Sequence, residues 1–499
     1  YTTSPSDMAS AQAINEEDLP TWDLSDLYDG PDSPALATDL EKAARSAVDF
    51  ETAYKGTVDS MSPAQFVEAI RAYEHLQLTL NRLVSYAQLI YAAQVSDPVI
   101  GQFYQTIHEK VTDISAHTLF FSLEINRLED KALEGLLANP TVAHYAPWIR
   151  AVRLFRDHEL SEELEQALLQ KSITGRSAWS RLFDETMADM RITIDGEDFT
   201  LADTLNRLSD TDGVVRKSAA KALGRKLTGQ VRLFSLITNT LAKDKEIEDR
   251  LRHFASPMAS RNLANRVEDE VVTALVTAVK AAYPSLSHRY YALKAKWFGV
   301  EKLDYWDRNA PLPDQADRHF PWSQARTTVI DAYGRFDPEL ARIAEGFFEK
   351  RWIDAEVRPG KDSGAFSHPT VTSVHPYILM NYHGRSRDVM TLAHELGHGV
   401  HQVLSGPQGE LMADTPLTLA ETASVFGEML TFQSMLESED NAETRRIMIA
   451  GKVEDMMNTV VRQIAFHEFE RLVHDERQGG ELTADRLGDI WMKIQKESL

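Results

Sequence analysis

No cysteine occurs in the 499 residues. That absence removes disulfides, thiolate nucleophiles and cysteine-ligated zinc sites together, and it fits a reducing, cytoplasmic setting. No run of apolar residues approaches the length that crosses a bilayer, so no membrane span is expected. Positive charge is also short: 53 Lys and Arg against 76 Asp and Glu leave a formal charge of −23. Nucleic-acid binding needs clustered Lys and Arg, so that class is set aside. The negative charge serves solubility first, with attraction of basic peptides as a second reading. The opening stretch YTTSPSDMASAQAINEEDLP has no basic segment followed by an apolar run, so it is not a secretory signal. Residues 1–20 are polar and unpatterned and are expected to form a mobile leader. Internal repeats and low-complexity tracts are missing as well.

What is present is helical patterning. From about Ser33 to Glu185 apolar residues recur three and four apart, most clearly in SPAQFVEAIRAYEHLQLTLNRLVSYAQLIYAAQ. Ser62-Pro63 opens that segment, and proline is tolerated in a first helical turn. Near residue 190 the period changes. Met190 to Leu201 alternates around Asp195-Gly196, a hairpin signature that rests on positive φ angles. A lobe boundary is placed there, giving a helical lobe over 21–189 and a second region over 190–499. A second strand-like zone spans about Gly364 to Tyr382. Two long helices are expected after it, at about 386–404 and 417–436, separated by Ser405-Gly-Pro-Gln-Gly409.

The first of those helices carries Leu392-Ala-His-Glu-Leu-Gly-His-Gly399. Residues at i and i+4 share a helix face, so His394 and His398 can aim imidazole nitrogens at one metal ion. Glu395 projects beside that point. A carboxylate there can take a proton from a metal-activated water and deliver it to the leaving amine. HExxH arises by chance in roughly a few per cent of chains of such composition. Apolar Val389, Leu392, Leu396, Val400 and Val403 mark this helix as packed, which disfavours two merely exposed histidines.

A catalytic metal needs a third protein ligand and an open position. His401 and Leu404 stand where a metzincin would have glycine and histidine, so that arrangement fails. Glu421 lies among Ala420, Ala423 and Ser424, small neighbours that let two helices approach, and it is the expected third ligand. Glu428, two turns on, has two readings: a carboxylate behind a ligand imidazole, or a solvated side chain. His401 likewise reads either as support for a ligand or as a structural histidine.

These residues and their flanks resemble the M3 family of zinc oligopeptidases, and its oligoendopeptidase F branch in particular. The likeness rests on Gly364-Ala-Phe366, His375-Pro-Tyr377, Asn381-Tyr382, Arg387-Asp388, the HELGH box, Ala420-Glu-Thr-Ala-Ser424 and Val461 to Glu470. It implies a mainly helical, two-lobed fold with a small sheet beside the HExxH helix and a deep substrate channel. It also implies one zinc ion on His394, His398 and Glu421, with Glu395 as the base. The partners would be short unstructured peptides cleaved at internal bonds. Gly364, Ala365 and Phe366, together with Tyr382, are the candidate substrate-binding residues, the first three by strand addition. The family also carries a helical segment with His and Tyr residues that stabilise the tetrahedral intermediate. That cluster is not found before Leu499, so the catalytic region is expected to be truncated. Trimming of peptide C-termini and non-catalytic zinc-dependent peptide binding are the alternative readings.

Overall fold

The computed structural model describes residues 19–313 and 319–499. The expected leader therefore lies outside the described residues except for Leu19 and Pro20. Those two are tied down: Leu19 packs against the main core, and the Pro20 carbonyl accepts a hydrogen bond from Ala355 N at 2.8 Å.

The fold is mainly helical, as expected. Long helices begin where the sequence supplies caps. Helix Pro63–Ala93 starts with a reciprocal capping box between Ser62 and Gln65, and Asp97 accepts from Val99 N and Ile100 N to open helix Pro98–Ala116. The hairpin near 190 consists of β1 (Ile192–Ile194) and β2 (Glu197–Phe199). Asp195 and Gly196, at φ 53° and 93°, make its turn. A second sheet contains β3 (Ile353–Asp354), β4 (Phe366–His368) and β5 (Tyr377–Leu379), in the order β3-β5-β4. β5 runs parallel to β3 and antiparallel to β4, with Ser367 opposite Ile378, so β4 is an edge strand.

The largest core does not respect sequence order. It joins Leu27, from the turn before the first helix, and Leu36, Leu80, Leu83 and Tyr86 from the first helices to Val329, Tyr333, Phe347, Ile378, Leu392 and Leu396 from residues 320–403. The buried residues of a second core all lie within 50–149, with Leu411 and Met412 packed against it. Three smaller ones lie at residues 190–222, between Val279, Tyr283, Val461 and Ile464, and between Ala465, Val473, Ile490 and Ile494. Helices from both sides of residue 190 thus build the support for the HExxH helix (Ser386–Ser405). Val389, Leu392, Leu396 and Val400 form its buried stripe, and each such side chain contributes roughly 1.5–3 kcal/mol. Among the described residues, no helix is long and apolar enough to cross a membrane.

Candidate metal centre

The HExxH helix packs lengthwise on the following helix, Leu417–Glu437, and glycine decides how closely. A Cβ at Gly397 would stand 2.6 Å from the Ala423 carbonyl oxygen and 2.8 Å from Ser424 Cα. A Cβ at Gly427 would lie 2.8 Å from the Ala393 carbonyl oxygen. These two glycines face the partner helix's backbone directly, which brings Glu421 within reach of both histidines. The Tyr333 hydroxyl donates to that same Ala393 carbonyl at 2.6 Å and anchors the junction from a third helix.

His394, His398 and Glu421 converge there, their ligand atoms all within 4.8 Å of one another. Glu421 Oε2 lies 3.2 Å from His394 Nε2 and 3.4 Å from His398 Nε2. Tetrahedral ligands at about 2.05 Å from a zinc ion stand about 3.3 Å apart, so these separations fit one small divalent cation. The donor chemistry fits too, because two imidazoles and a carboxylate are a usual zinc set. Ser424 Oγ donates to Glu421 Oε2 at 2.7 Å and holds the carboxylate. His394 turns its other nitrogen away: Nδ1 lies 2.7 Å from Glu428 Oε1, which leaves Nε2 for the metal. Glu428 is therefore not a solvated side chain. Its second oxygen accepts from Lys452 Nζ at 2.6 Å.

The electrostatics follow from these contacts. Burial opposes a charge on His394, but the hydrogen bonds that Glu421 and then Glu428 accept from it outweigh that cost and raise its pKa to about 10. The same bonds from His394 and His398 hold Glu421 well below the usual carboxylate range. Glu395 is different. Burial pushes its carboxyl up to about 7 against the pull of the two histidines.

A cavity of about 1160 Å³ opens over this group. Glu395, His394, His398, Glu421 and His401 line it, together with Ala365, Phe366 and Ser367 at the sheet edge. Gln402 couples that edge to the HExxH helix. Its Nε2 donates to the Ser367 carbonyl at 3.1 Å, and its Oε1 accepts from Ser367 Oγ at 2.8 Å. Two residues lie apart from expectation. Gly364 is held beside the cavity in a turn, its N–H on Asp362 Oδ1 at 2.8 Å and its carbonyl on Asn381 Nδ2 at 3.1 Å. Tyr382 is buried, with its hydroxyl on the Phe320 carbonyl at 2.6 Å and its ring edge-on to Trp322, so it packs rather than faces the cavity. Tyr333, Gln402 and Lys452 were not singled out from sequence, because each acts through a contact distant in the chain.

Paired helices bring a metal-ligand set beside the edge strand β4. Comparison with known proteins agrees. The profile of Peptidase family M3 matches residues 207–499, and a profile described as Oligopeptidase F matches residues 124–192. The chain belongs to peptidase family M3. It is 28% identical over 494 residues to Oligopeptidase PepF of Bacillus subtilis, covering 96% of this chain and 72% of that protein. It is 25% identical over 497 residues to an oligoendopeptidase F homolog of Borreliella burgdorferi, covering 98% of this chain and 82% of that one. Among solved structures, a putative oligoendopeptidase F from Bacillus anthracis superposes with a TM-score of 0.75 at 16% identity, over 93% of this chain and 82% of that one. At that identity the likeness speaks to the fold.

Proposed function

We propose that this M3 peptidase is a zinc-dependent oligopeptidase that hydrolyses internal bonds of short, unstructured peptides. The observation that carries the reading is the convergence of His394, His398 and Glu421 beside the buried Glu395, in a cavity bordered by an edge strand. His394, His398 and Glu421 would hold the ion. When bound, zinc supplies Lewis acidity, which polarises the scissile carbonyl and acidifies a water.

The protein's own groups do the rest. Glu395 takes a proton from the attacking water through a carboxylate oxygen and hands it to the amide nitrogen as the C–N bond breaks. A carboxyl near neutrality suits a group that must both accept and release a proton. Glu428 keeps the proton of His394 on Nδ1. In β4, Phe366 and His368 turn their backbone groups toward β5, so Ala365 and Ser367 turn theirs outward. A peptide can add there as a further strand. Gln402 already occupies the Ser367 carbonyl and thereby limits how far the added strand runs. The sequence division near residue 190 belongs to this proposal as a boundary between family segments; the flanking profiles, ending at 192 and beginning at 207, support it.

The test is Glu395→Gln. Zinc content is expected to be retained while cleavage of a quenched-fluorescent peptide falls by roughly 10²–10⁴-fold. Undiminished cleavage overturns the assignment. Amidating the substrate's C-terminus is expected to leave cleavage intact, whereas a carboxypeptidase would lose it.

A further inference from the structure

Lys452 belongs to neither helix that bears a metal-site residue. It sits on the long helix Ala442–Arg477, which packs mainly on helices of residues 231–251, 269–282 and 484–498. Its Nζ nevertheless donates to Glu428 Oε2 at 2.6 Å, while Glu428 Oε1 lies 2.7 Å from His394 Nδ1. One carboxylate therefore bridges an ammonium and an imidazole, each through a different oxygen. Lys452 is buried, with a side chain only 8% exposed.

Such burial has a cost and needs a reason. A carboxylate taken out of water is destabilising unless a cation pairs with it, and the pair rarely adds net stability over apolar residues. The long helix does not depend on Lys452 for its place. Two residues on, Glu454 points the other way and accepts from Lys294 Nζ at 2.8 and 2.9 Å, and also from the Tyr290 hydroxyl. Val461 and Ile464 add an apolar contact with Val279 and Tyr283. What Lys452 alone provides is a fixed direction for the Glu428 carboxylate. Lys452 also borders a second cavity, whose lining includes Arg387 and Asp455.

We propose that Lys452 is a positioning residue for the metal centre: it holds Glu428 so that His394 keeps presenting Nε2 to the ion. This rests on the zinc-site reading above. Through it the long helix, whose main contacts lie among residues 231–300 and 484–498, sets the geometry of a ligand on the HExxH helix.

The test measures Zn²⁺ affinity by competition with a chromophoric chelator for the wild type, Lys452→Met and Lys452→Arg. It adds the Co²⁺ absorption spectrum as a report on coordination and thermal unfolding of the metal-free proteins. Lys452→Met is expected to weaken Zn²⁺ binding about 10-fold or more and to alter the Co²⁺ spectrum. Lys452→Arg is expected to restore most of both, with the metal-free melting temperature unchanged. Zinc affinity of Lys452→Met within about twofold of wild type, with an identical spectrum, overturns the proposal. So does a loss that tracks a lower metal-free melting temperature and is not rescued by arginine. Should Lys452→Met fail to fold, Lys452→Gln is read by the same criteria. His394→Ala tests the underlying reading by itself: wild-type zinc affinity in that variant overturns the site assignment, whatever Lys452 does.

Discussion

Two clusters of charged side chains lie in the same sheet-and-helix core and are built on opposite principles. Around Asp354 every donor meets an acceptor. Lys361 Nζ donates to Asp354 Oδ1 at 2.6 Å, to the Glu356 carbonyl at 2.8 Å and to the Met380 carbonyl at 2.6 Å. Arg358 reaches both carboxylate oxygens of Asp354 at 2.8 Å. Around Glu421 the arrangement differs, since two ring nitrogens and a carboxylate oxygen converge on one spot with the geometry of a metal-ligand set. A closed cluster stabilises the fold it sits in, whereas converging acceptors are completed only by a cation from outside. Burial alone does not separate the two; the balance of donors and acceptors does.

That contrast can be broken by experiment. Asp354→Ala strands the Lys361 ammonium, which is fully buried, and should cost about 3–5 kcal/mol of folding stability in a denaturant titration. A loss below about 1 kcal/mol would show that the cluster is not the support it is taken to be. Glu421→Ala should differ: zinc affinity drops by about 100-fold or more on chelator competition, a larger loss than for groups behind the ligands, while metal-free stability falls far less than in Asp354→Ala. Equal damage to metal-free stability would make the two clusters alike after all.

Gly397→Ala probes the junction itself. Its new methyl group meets backbone atoms of the partner helix, so a loss of about 1–3 kcal/mol is expected together with weaker zinc binding. Unchanged stability and affinity would mean that the helices can part without moving Glu421.

The smallest effect concerns pH. Burial pushes the His368 imidazole down to about 4, and its Nδ1 accepts from Thr370 N at 3.0 Å, which requires the neutral ring. The folded value lies below the ordinary one of about 6.5, so the unfolded chain binds this proton more tightly. The contribution is complete above pH 6.5 and is lost as pH falls toward 4, amounting to about 2 kcal/mol for a partly exposed ring. His368→Asn should flatten the stability profile in that window; an identical slope would reject the assignment.

Much of the metal centre was legible because helices write their period into sequence. The expected helices at 386–404 and 417–436 are observed as Ser386–Ser405 and Leu417–Glu437, bounded by the turn at Ser405-Gly-Pro-Gln-Gly409. The strand zone yielded β4 and β5. β3 was not legible, since two residues carry no alternation. Sequence proximity misled for Tyr382, whose hydroxyl is claimed by Phe320, 62 positions away. Glu428 offered a choice that spacing could not decide, and its partner Lys452 lies 24 residues on with no local signal at all.

The crossing of the main core has a consequence in time. Helices before residue 115 share that core with residues 320–403, so their inner faces stay uncovered while some 200 intervening residues are made. At ribosomal speeds of 5–20 residues per second, this is a wait of roughly 10–40 s. The core whose buried residues lie within 50–149 can close meanwhile, apart from the cover that Leu411 and Met412 add later; the one beneath the HExxH helix cannot. Assembly of the chemistry thus waits until Glu421 has been made, and the early helices need protection from one another until it happens.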